Sequence, residues 1–395
     1  MPVFREAEKA IREEFRKNGN LFSGLKLAAC LHISKETSVL VKSLHDLGLE
    51  VLLVAANPLS SQDEISVYLA SQGITVLGRR GEEAGQYAKD ISVASRSSPN
   101  LIVDDGGELH SAYAASKENS CIGGTDETTS GTTRLKALDK AGKLRYPVIP
   151  VNEAMTKHVF DNKYGTGQSS VDGLFRATGL LVAGKNVVVA GFGWVGQGVA
   201  ARLRGMGAKV TVTEVDPVKA LEAHLDGYVV LPMMEAIANA DIILTCTGQV
   251  NVLDSRHFEY LKDGALIGNL GHFDREINVK KLYARSRNIE QVRADVEKIE
   301  LQEGPKSVFL LCKGRVVNLA AAEGHPPEIM QLSFANQLLA IHYLVLHRKE
   351  LSEIKSKVLD FPKEIEIKVA KLALKGFDLK IDRLSPQQIR YADAS

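Results

Sequence analysis

Four cysteines in 395 residues leave little for covalent stapling. Cys30, Cys121, Cys246 and Cys312 lie far apart, form no CxxC pair and show no zinc-ligand spacing. A disulfide scaffold and a structural zinc site are therefore excluded, and the usage fits a reducing cytoplasm with buried thiols. An excess of either charge is also missing. Lys and Arg total 49 against 48 Asp and Glu, a formal net charge of +1. A dedicated nucleic-acid or anionic-membrane binder would carry a basic surplus, so neither partner is expected. The N-terminal MPVFREAEKAIREEF lacks the apolar core of a secretion signal. The longest weakly polar stretch, 177–201, is cut by Lys185 and rich in glycine, so no membrane span is expected. No repeat with a period of roughly 20–50 residues interrupts the chain.

What is present is ordinary globular material. Hydrophobic residues make up 45% and charged residues 25%, which supplies ample core for two or three domains of about 100–200 residues each. Helical patterns at 2–17, 35–48 and 62–72 alternate with strand patterns at 26–31, 50–55, 75–77 and 101–104. A second unit begins near 168, with strands at 186–190, 209–213, 228–231, 241–245 and 265–268 and helices at 195–206 and 217–226. Residues 307–311 and 315–319 read as a hairpin around Lys313-Gly314, 328–348 as a long apolar helix, and 361–391 as a charged tail. Strand–helix–strand repetition predicts an α/β protein of two doubly wound, Rossmann-like parallel-sheet domains, the chain returning to the first near residue 325.

The strongest local motif is Gly191-Phe-Gly193-Trp194-Val195-Gly196, which follows a predicted strand and opens a helix. Glycine at 191 permits the tight turn, at 193 close approach of a pyrophosphate, and at 196 close packing of helix on strand. Glu214 ends the next strand, where a carboxylate binds ribose hydroxyls and repels a 2′-phosphate. The pattern predicts NAD rather than NADP.

Other polar clusters fall at strand ends and turns: Cys30–Thr37, Asp104-Asp105-Gly-Gly-Glu108, Asp126–Gly131, and the run from Asn152 through Lys157, Asp161 and Asn162 to Gln168. Singly, each has a plain explanation. Lys157 and Asp161 have the spacing of a surface helical ion pair, His32 could be a satisfied core histidine, and Asp104-Asp105-Gly-Gly could be a turn. Gly271-His272-Phe273 and Gly324-His325-Pro326 could likewise be loop chemistry.

Together the segments CLHISKET (30–37), NPLSSQD (57–63), DDGGE (104–108), DETTSGT (126–132), VNEAMTKHVFDNKYGTGQS (151–169), VVVAGFGWVGQG (187–198), NLGHFDREI (269–277), VNLAAAEGHP (317–326) and SFANQ (333–337) resemble the S-adenosylhomocysteine hydrolase family, in its shorter microbial and archaeal branch. The resemblance runs from about residue 24 to about 391. It implies a retained NAD that oxidises the substrate's 3′-hydroxyl, so that the C4′ proton becomes acidic, homocysteine leaves from C5′, water adds, and the ketone is reduced back. By position it implies that Lys157 and Asp161 act at the 3′-hydroxyl, burial beside the nicotinamide lowering the lysine pKa. Asp105 and His32 would handle the C4′ proton, the water and the leaving thiolate, with His272 near the C5′ end. Glu127, Asn162 and Asn152 would line the ribose. Ser34, Glu36, Thr37, His325 and Met330 would form the base pocket, Glu36 favouring a 6-amino group over a 6-oxo group. Thr128, Thr129 and Ser130, with Gly191, Gly193, Trp194, Val195, Gly196, Glu214, Thr247, Asn269 and Asn318, would hold NAD. No metal is implied.

The sequence departs from the usual family pattern at Thr166 (commonly cysteine), Glu323 (commonly methionine), Lys219 (commonly asparagine) and Glu108 (commonly aspartate). Many members also continue into a tail that reaches a neighbouring subunit's NAD, and this sequence stops at Ser395. The resemblance implies a substrate domain at 1–152 and 327–372, an NAD domain at 168–323, hinges at 153–167 and 324–326, a dimerisation segment at 373–395, and a cytoplasmic homotetramer. Three rivals are an NAD-dependent 2-hydroxyacid dehydrogenase, a non-catalytic NAD- or adenosine-binding relative, and the same chemistry on S-inosylhomocysteine.

Overall fold

The computed structural model describes residues 1–302 and 304–393. The first sheet is built from β1 (Lys26–Leu31), β2 (Glu50–Ala55), β3 (Thr75–Leu77), β4 (Leu101–Asp104), β5 (Gly123–Asp126) and β6 (Val148–Pro150). Their spatial order is β3-β2-β1-β4-β5-β6, with every pair parallel. The strands are apolar runs because helices cover both faces; all four residues of β4 are buried. The order reverses between β1 and β4, which opens a crevice beyond their carboxyl ends.

The second sheet contains β7 (Asn186–Ala190), β8 (Lys209–Thr213), β9 (Val229–Val230), β10 (Ile242–Thr245), β11 (Ala265–Asn269), β12 (Ser286–Arg293), β13 (Val296–Leu301) and β14 (Ser307–Leu311). The order is β12-β13-β14-β11-β10-β7-β8-β9, with its own reversal between β7 and β10. Two doubly wound sheets are as expected, but the second is not wholly parallel: β12 and β13 add an antiparallel edge. The hairpin expected around Lys313-Gly314 is absent. β14 ends at Leu311, and residues 317–320 turn into a short helix instead of a returning strand. The hairpins instead pair β12 with β13 and β13 with β14. Every residue of β12 is solvent-facing to some degree, so it lacks the apolar alternation that signals a strand.

The chain returns to the first sheet through the helix Pro327–Leu346. Phe334, Leu338, Ile341 and Leu344 join β1, β2 and the N-terminal helix Pro2–Asn18 in one core. By length and composition alone this helix could cross a membrane, but 78% of its most apolar 18-residue window is buried inside the protein. Helix Lys363–Gly376 seats Ile365 and Val369 in the same core, straddling the boundary expected between 372 and 373. The last two residues of the expected 373–395 segment lie outside the described residues.

The link between the sheets is regular rather than loose. Met155–Lys157 is helical, His158–Gly165 is a π-type stretch, and Thr166–Thr178 continues as α-helix. Thr166 N–H bonds the Asp161 carbonyl, five residues back. Helix Trp194–Gly205 crosses this link so closely that a Cβ on Gly198 would lie 1.9 Å from the Lys163 carbonyl oxygen. Gly198→Ala is therefore expected to cost about 1–3 kcal/mol through forced displacement. Gly205→Ala, with nothing within 4 Å of the added carbon, should be neutral or stabilising by up to about 1 kcal/mol. Urea unfolding of the two variants checks this; equal stabilities would contradict the crossing.

Candidate active site

The reversal in the first sheet brings His32, just after β1, beside Asp105, just after β4. His32 Nε2 lies 3.5 Å from Asp105 Oδ2, and its Nδ1 lies 2.5 Å from Ser60 Oγ. Burial lowers the His32 pKa against the pull of Asp105, so the ring is neutral at pH 7. His272 arrives from the loop after β11 and places Nδ1 3.9 Å from Asp105 Oδ1. The His32 and His272 rings are 5.9 Å apart. Phe273 follows, under the guanidinium groups of Arg134 and Arg275 at 5.5 and 5.1 Å. Residues of both sheets thus meet at one carboxylate.

A second cluster surrounds Lys157, which is 3% exposed. Its ammonium lies 3.3 Å from Asp161 Oδ1, 3.8 Å from Glu127 Oε1, 3.3 Å from Asn152 Oδ1 and 3.2 Å from Asn162 Oδ1. The π-type stretch explains the convergence, because its wider turn brings positions four and five residues on to the same side. Burial alone would lower the Lys157 pKa, but Asp161, Glu127 and Asp105 outweigh it and hold the pKa above its ordinary value. The expected depression is not present, and the group stands as an ammonium. Burial also raises Glu127, to about 7, against the opposing effect of Lys157. Its carboxylate accepts from Ser333 Oγ and, at 2.5 Å, from Gln337 Nε2. Asp161 behaves oppositely: burial raises it, yet His325 and Lys157 together hold it well below the usual carboxylate range.

Ser34, Glu36 and Thr37 occupy the first turn of helix Lys35–Asp46, where the Ser34 hydroxyl accepts from Thr37 N–H as the helix cap. Lys35 reaches Glu323 at 3.2 Å, which sets this turn beside the 323–325 segment. Met330 packs on the first core from the opening turns of helix Pro327–Leu346. His325, expected at the base, lies with Nδ1 3.2 Å from Asp161 Oδ2 and Nε2 3.0 Å from Thr166 Oγ1. It therefore borders the Lys157 cluster.

The glycine turn passes a direct test of fit for a dinucleotide. Gly191 has φ of +102°, and a Cβ there would crowd the Cys246 carbonyl at 3.0 Å. A Cβ on Gly196 would lie 2.0 Å from the Gly191 carbonyl. At Gly193 nothing lies within 4 Å of the same position, leaving room for a phosphate before the N-terminus of helix Trp194–Gly205, whose first N–H groups have no partner within the helix. Val195 packs on the second core, and Trp194 stacks on His158 at 5.2 Å. Glu214 accepts from Phe192 N–H at 2.7 Å and from Val215 and Asp216 N–H, holding its carboxylate at the turn.

Thr128 precedes helix Thr129–Lys140, Ser130 Oγ donates to Thr128 Oγ1 at 3.3 Å, and Thr129 Oγ1 accepts from Asn152 Nδ2 at 3.0 Å. These hydroxyls begin a helix after β5 and so are not in a simple turn. Asn318 bonds Ser169 Oγ at 3.2 Å. Asn269 is fully buried and spends its amide on the carbonyls of Gly271, Phe273 and Gly314; in this arrangement it fixes the His272 loop. Thr247 donates both N–H and hydroxyl to Glu276, which also takes Gly248 N–H at 2.8 Å. Sequence reasoning gave Glu276 no role, and nothing in its local pattern marked it.

Beneath Asp105 lies a second pair that sequence reading passed over. Asp104 and Asp126 are register partners on β4 and β5, both fully buried. Asp104 accepts from Asp105 and His110 N–H, and Asp126 Oδ1 from Thr128 N–H, while Asp126 Oδ2 has no donor among the described residues. Burial raises Asp104 to about 7 and Asp126 well above its ordinary value. His110 is held neutral by burial, with its pKa lowered to about 4, so it does not compensate them.

A dinucleotide-binding sheet facing a second, parallel sheet across a lysine–carboxylate cluster defines an NAD-dependent two-domain enzyme. Residues 162–324 match the family described as "S-adenosyl-L-homocysteine hydrolase, NAD binding domain", and residues 6–120 match "S-adenosyl-L-homocysteine hydrolase". The adenosylhomocysteinase of Sulfurisphaera tokodaii is 47% identical over 392 residues, covering 99% of this chain and 92% of its own. Those of Aquifex aeolicus and Nostoc are 46% and 45% identical, covering 99% and 100% of this chain and 92% of each relative. Among solved structures, a dipicolinate synthase chain from Bacillus halodurans aligns with a TM-score of 0.49 at 13% identity, over 84% of this chain and 100% of its own. The chain belongs to the S-adenosyl-L-homocysteine hydrolase family, and NAD is its cofactor.

The aspartate pair sets a pH dependence. Asp126 has a folded pKa above its unfolded value, so its contribution to stability is full below about pH 4 and is lost as pH rises toward the folded pKa. Asp126→Asn removes that loss. As pH rises above about 4 the wild type should lose stability relative to the variant by up to roughly 1.4 kcal/mol per pH unit. Denaturant melts at several pH values measure the slope; parallel curves would mean that Asp126 is ionised in the fold.

Proposed function

We propose that the chain catalyses the reversible hydrolysis of S-adenosyl-L-homocysteine to adenosine and L-homocysteine through transient oxidation at the 3′-hydroxyl. The observation that carries this reading is the buried Lys157 ammonium between Glu127 and Asp161, beside the His32–Asp105–His272 group. One cluster suits a hydroxyl that must lose its proton, and the other a C–H bond and a leaving thiolate. The Gly191–Gly196 turn, Glu214, Thr247, Asn318 and the 128–130 hydroxyls would hold NAD, which supplies a hydride acceptor and a hydride donor in the same turnover.

Lys157, held as an ammonium, assists loss of the 3′-hydroxyl proton by its charge. Glu127, with a pKa of about 7 and 3.8 Å from Lys157, is the adjacent acceptor for that proton. Asp161 remains ionised and orients the ammonium, while Asn152 and Asn162 fix its remaining donors. His32, neutral at pH 7, is suited to take a proton that Asp105 helps to position. His272 closes the site from the other sheet and screens it from water. Glu36, when ionised, can only accept hydrogen bonds, which favours the 6-amino group of adenine. The domains are 1–152 with 327–372 on the substrate side and 168–323 on the NAD side, hinged at 153–167 and 324–326. The 373–395 segment mediates dimerisation within a homotetramer, and the enzyme works in the cytoplasm.

The test is to supply purified protein and NAD with S-adenosylhomocysteine or S-inosylhomocysteine, and to quantify homocysteine thiol and free NADH. Thiol release from the adenosyl compound without accumulating NADH is expected. Lys157→Met should lower turnover by about 10²–10⁴-fold. Release only from the inosyl compound would overturn the role of Glu36, and stoichiometric NADH without thiol would mark a dehydrogenase.

A further inference from the structure

His325 stands where the chain passes back from the second sheet to the first, and its two ring nitrogens are both engaged. Nδ1 is 3.2 Å from Asp161 Oδ2, and Nε2 is 3.0 Å from Thr166 Oγ1. The other Asp161 oxygen faces Lys157 at 3.3 Å. Thr166 and Asp161 are buried, and the His325 side chain is 15% exposed. The ring is also wedged against backbone: a Cβ on Gly165 would lie 3.2 Å from its Cγ. A histidine only lining a purine pocket would not need this double attachment.

We propose that His325 is a positioning residue for the 3′-oxidation, holding the Asp161 carboxylate toward Lys157 through Nδ1–H while the Thr166 hydroxyl fixes its tautomer. The hydrogen-bond directions are mutually consistent. A ring protonated on Nδ1 donates to the carboxylate and can accept on Nε2 from the threonine O–H, which also lies 3.4 Å from the Asp161 carbonyl. The chain then runs Thr166 to His325 to Asp161, with Lys157 donating to the opposite carboxylate oxygen. A third group that orients a charged pair is the general logic of catalytic triads. Thr166 gives this chain an O–H at that position, closer to His325 Nε2 at 3.0 Å than to the Asp161 carbonyl at 3.4 Å; a thiol there would donate only weakly. Because His325 sits at the return crossing, movement between the two sheets would alter the grip on Asp161 directly.

The groups around the ring are Asp161 with Lys157 and Glu127 behind it, Thr166 from the following helix, and His32 just after β1. Loss of the Nδ1–H donor leaves Asp161 easier to protonate, so the acid limb of the pH profile should move to higher pH.

The inference rests on placing Lys157 and Asp161 at the reacting hydroxyl, and the test separates the two. First-turnover oxidation of adenosine by the NAD-loaded enzyme is followed by NADH absorbance in His325→Ala, His325→Asn, Thr166→Val and Lys157→Met, with KM for adenosine and the pH profile measured in parallel. His325→Ala should lose about 10–100-fold in oxidation rate, the range of one hydrogen bond to a charged group, with little change in KM and an upward shift of the acid limb. His325→Asn keeps an N–H near the Nδ1 position and should recover most of the rate and the original acid limb, while Thr166→Val should fall between. A raised KM with an unchanged oxidation rate and acid limb in His325→Ala would make His325 a wall of the base pocket and overturn the proposal. Undiminished oxidation in Lys157→Met would instead overturn the reading of the site itself.

Discussion

A single buried ammonium organises the molecule. Lys157 has almost no access to water, and an unpaired charge there would cost several kcal/mol. The fold answers with two carboxylates and two amide oxygens drawn from β5's end, the segment after β6 and the π-type stretch. Glu127 in turn needs Ser333 and Gln337 from the helix Pro327–Leu346. The return of the chain to the first sheet is therefore part of the charge arrangement as well as part of the core. The irregular helix between the sheets follows from the same requirement, since a plain α-helix would bring only one of positions 161 and 162 alongside the lysine.

The two sheets play unequal parts. The first supplies carboxylates at strand ends, where backbone N–H groups and buried partners set their protonation. The second supplies a glycine turn shaped by exclusion, since side chains at 191 and 196 would meet backbone while 193 faces open space. Their loops meet at His272 and Asp105. Asn269 and Glu276 do not face that meeting point, yet they tie the 271–273 and 247–248 loops to the sheet. Rigidity at the site therefore comes from buried polar groups one layer behind it, which must be satisfied to be tolerated.

Much of this was legible in the chain itself. The strands of both sheets announce themselves as apolar runs with turn residues at their ends, and the glycine spacing specifies its own turn. The family motifs brought His32, Asp105, Glu127, Lys157 and Asp161 into one list before any geometry was known. What escaped had weak local signatures. β12 carries charge on exposed positions, so no alternation marks it. Lys313-Gly314 reads as a hairpin turn because both residues do adopt positive φ, but the chain beyond enters a helix. The Asp104–Asp126 pair and the His325–Asp161 contact depend on register and on a crossing 164 residues apart in sequence, which no short window contains. The Lys157 pKa was misjudged for a related reason: burial is visible in a sequence, but three converging carboxylates are not.

The path of the backbone has a consequence for how the molecule is made. The cores of the second sheet draw on residues between 171 and 321, so that unit is complete as soon as its own stretch leaves the ribosome. The first unit begins earlier and finishes later, because its core joins residues 3–151 to residues 332–369. Its nascent sheet must wait, with the groove for the returning helix open, while the later-made unit folds beside it. Synthesis therefore runs in one direction and completion in the other, and the interval between them is when this chain most needs a chaperone's shelter.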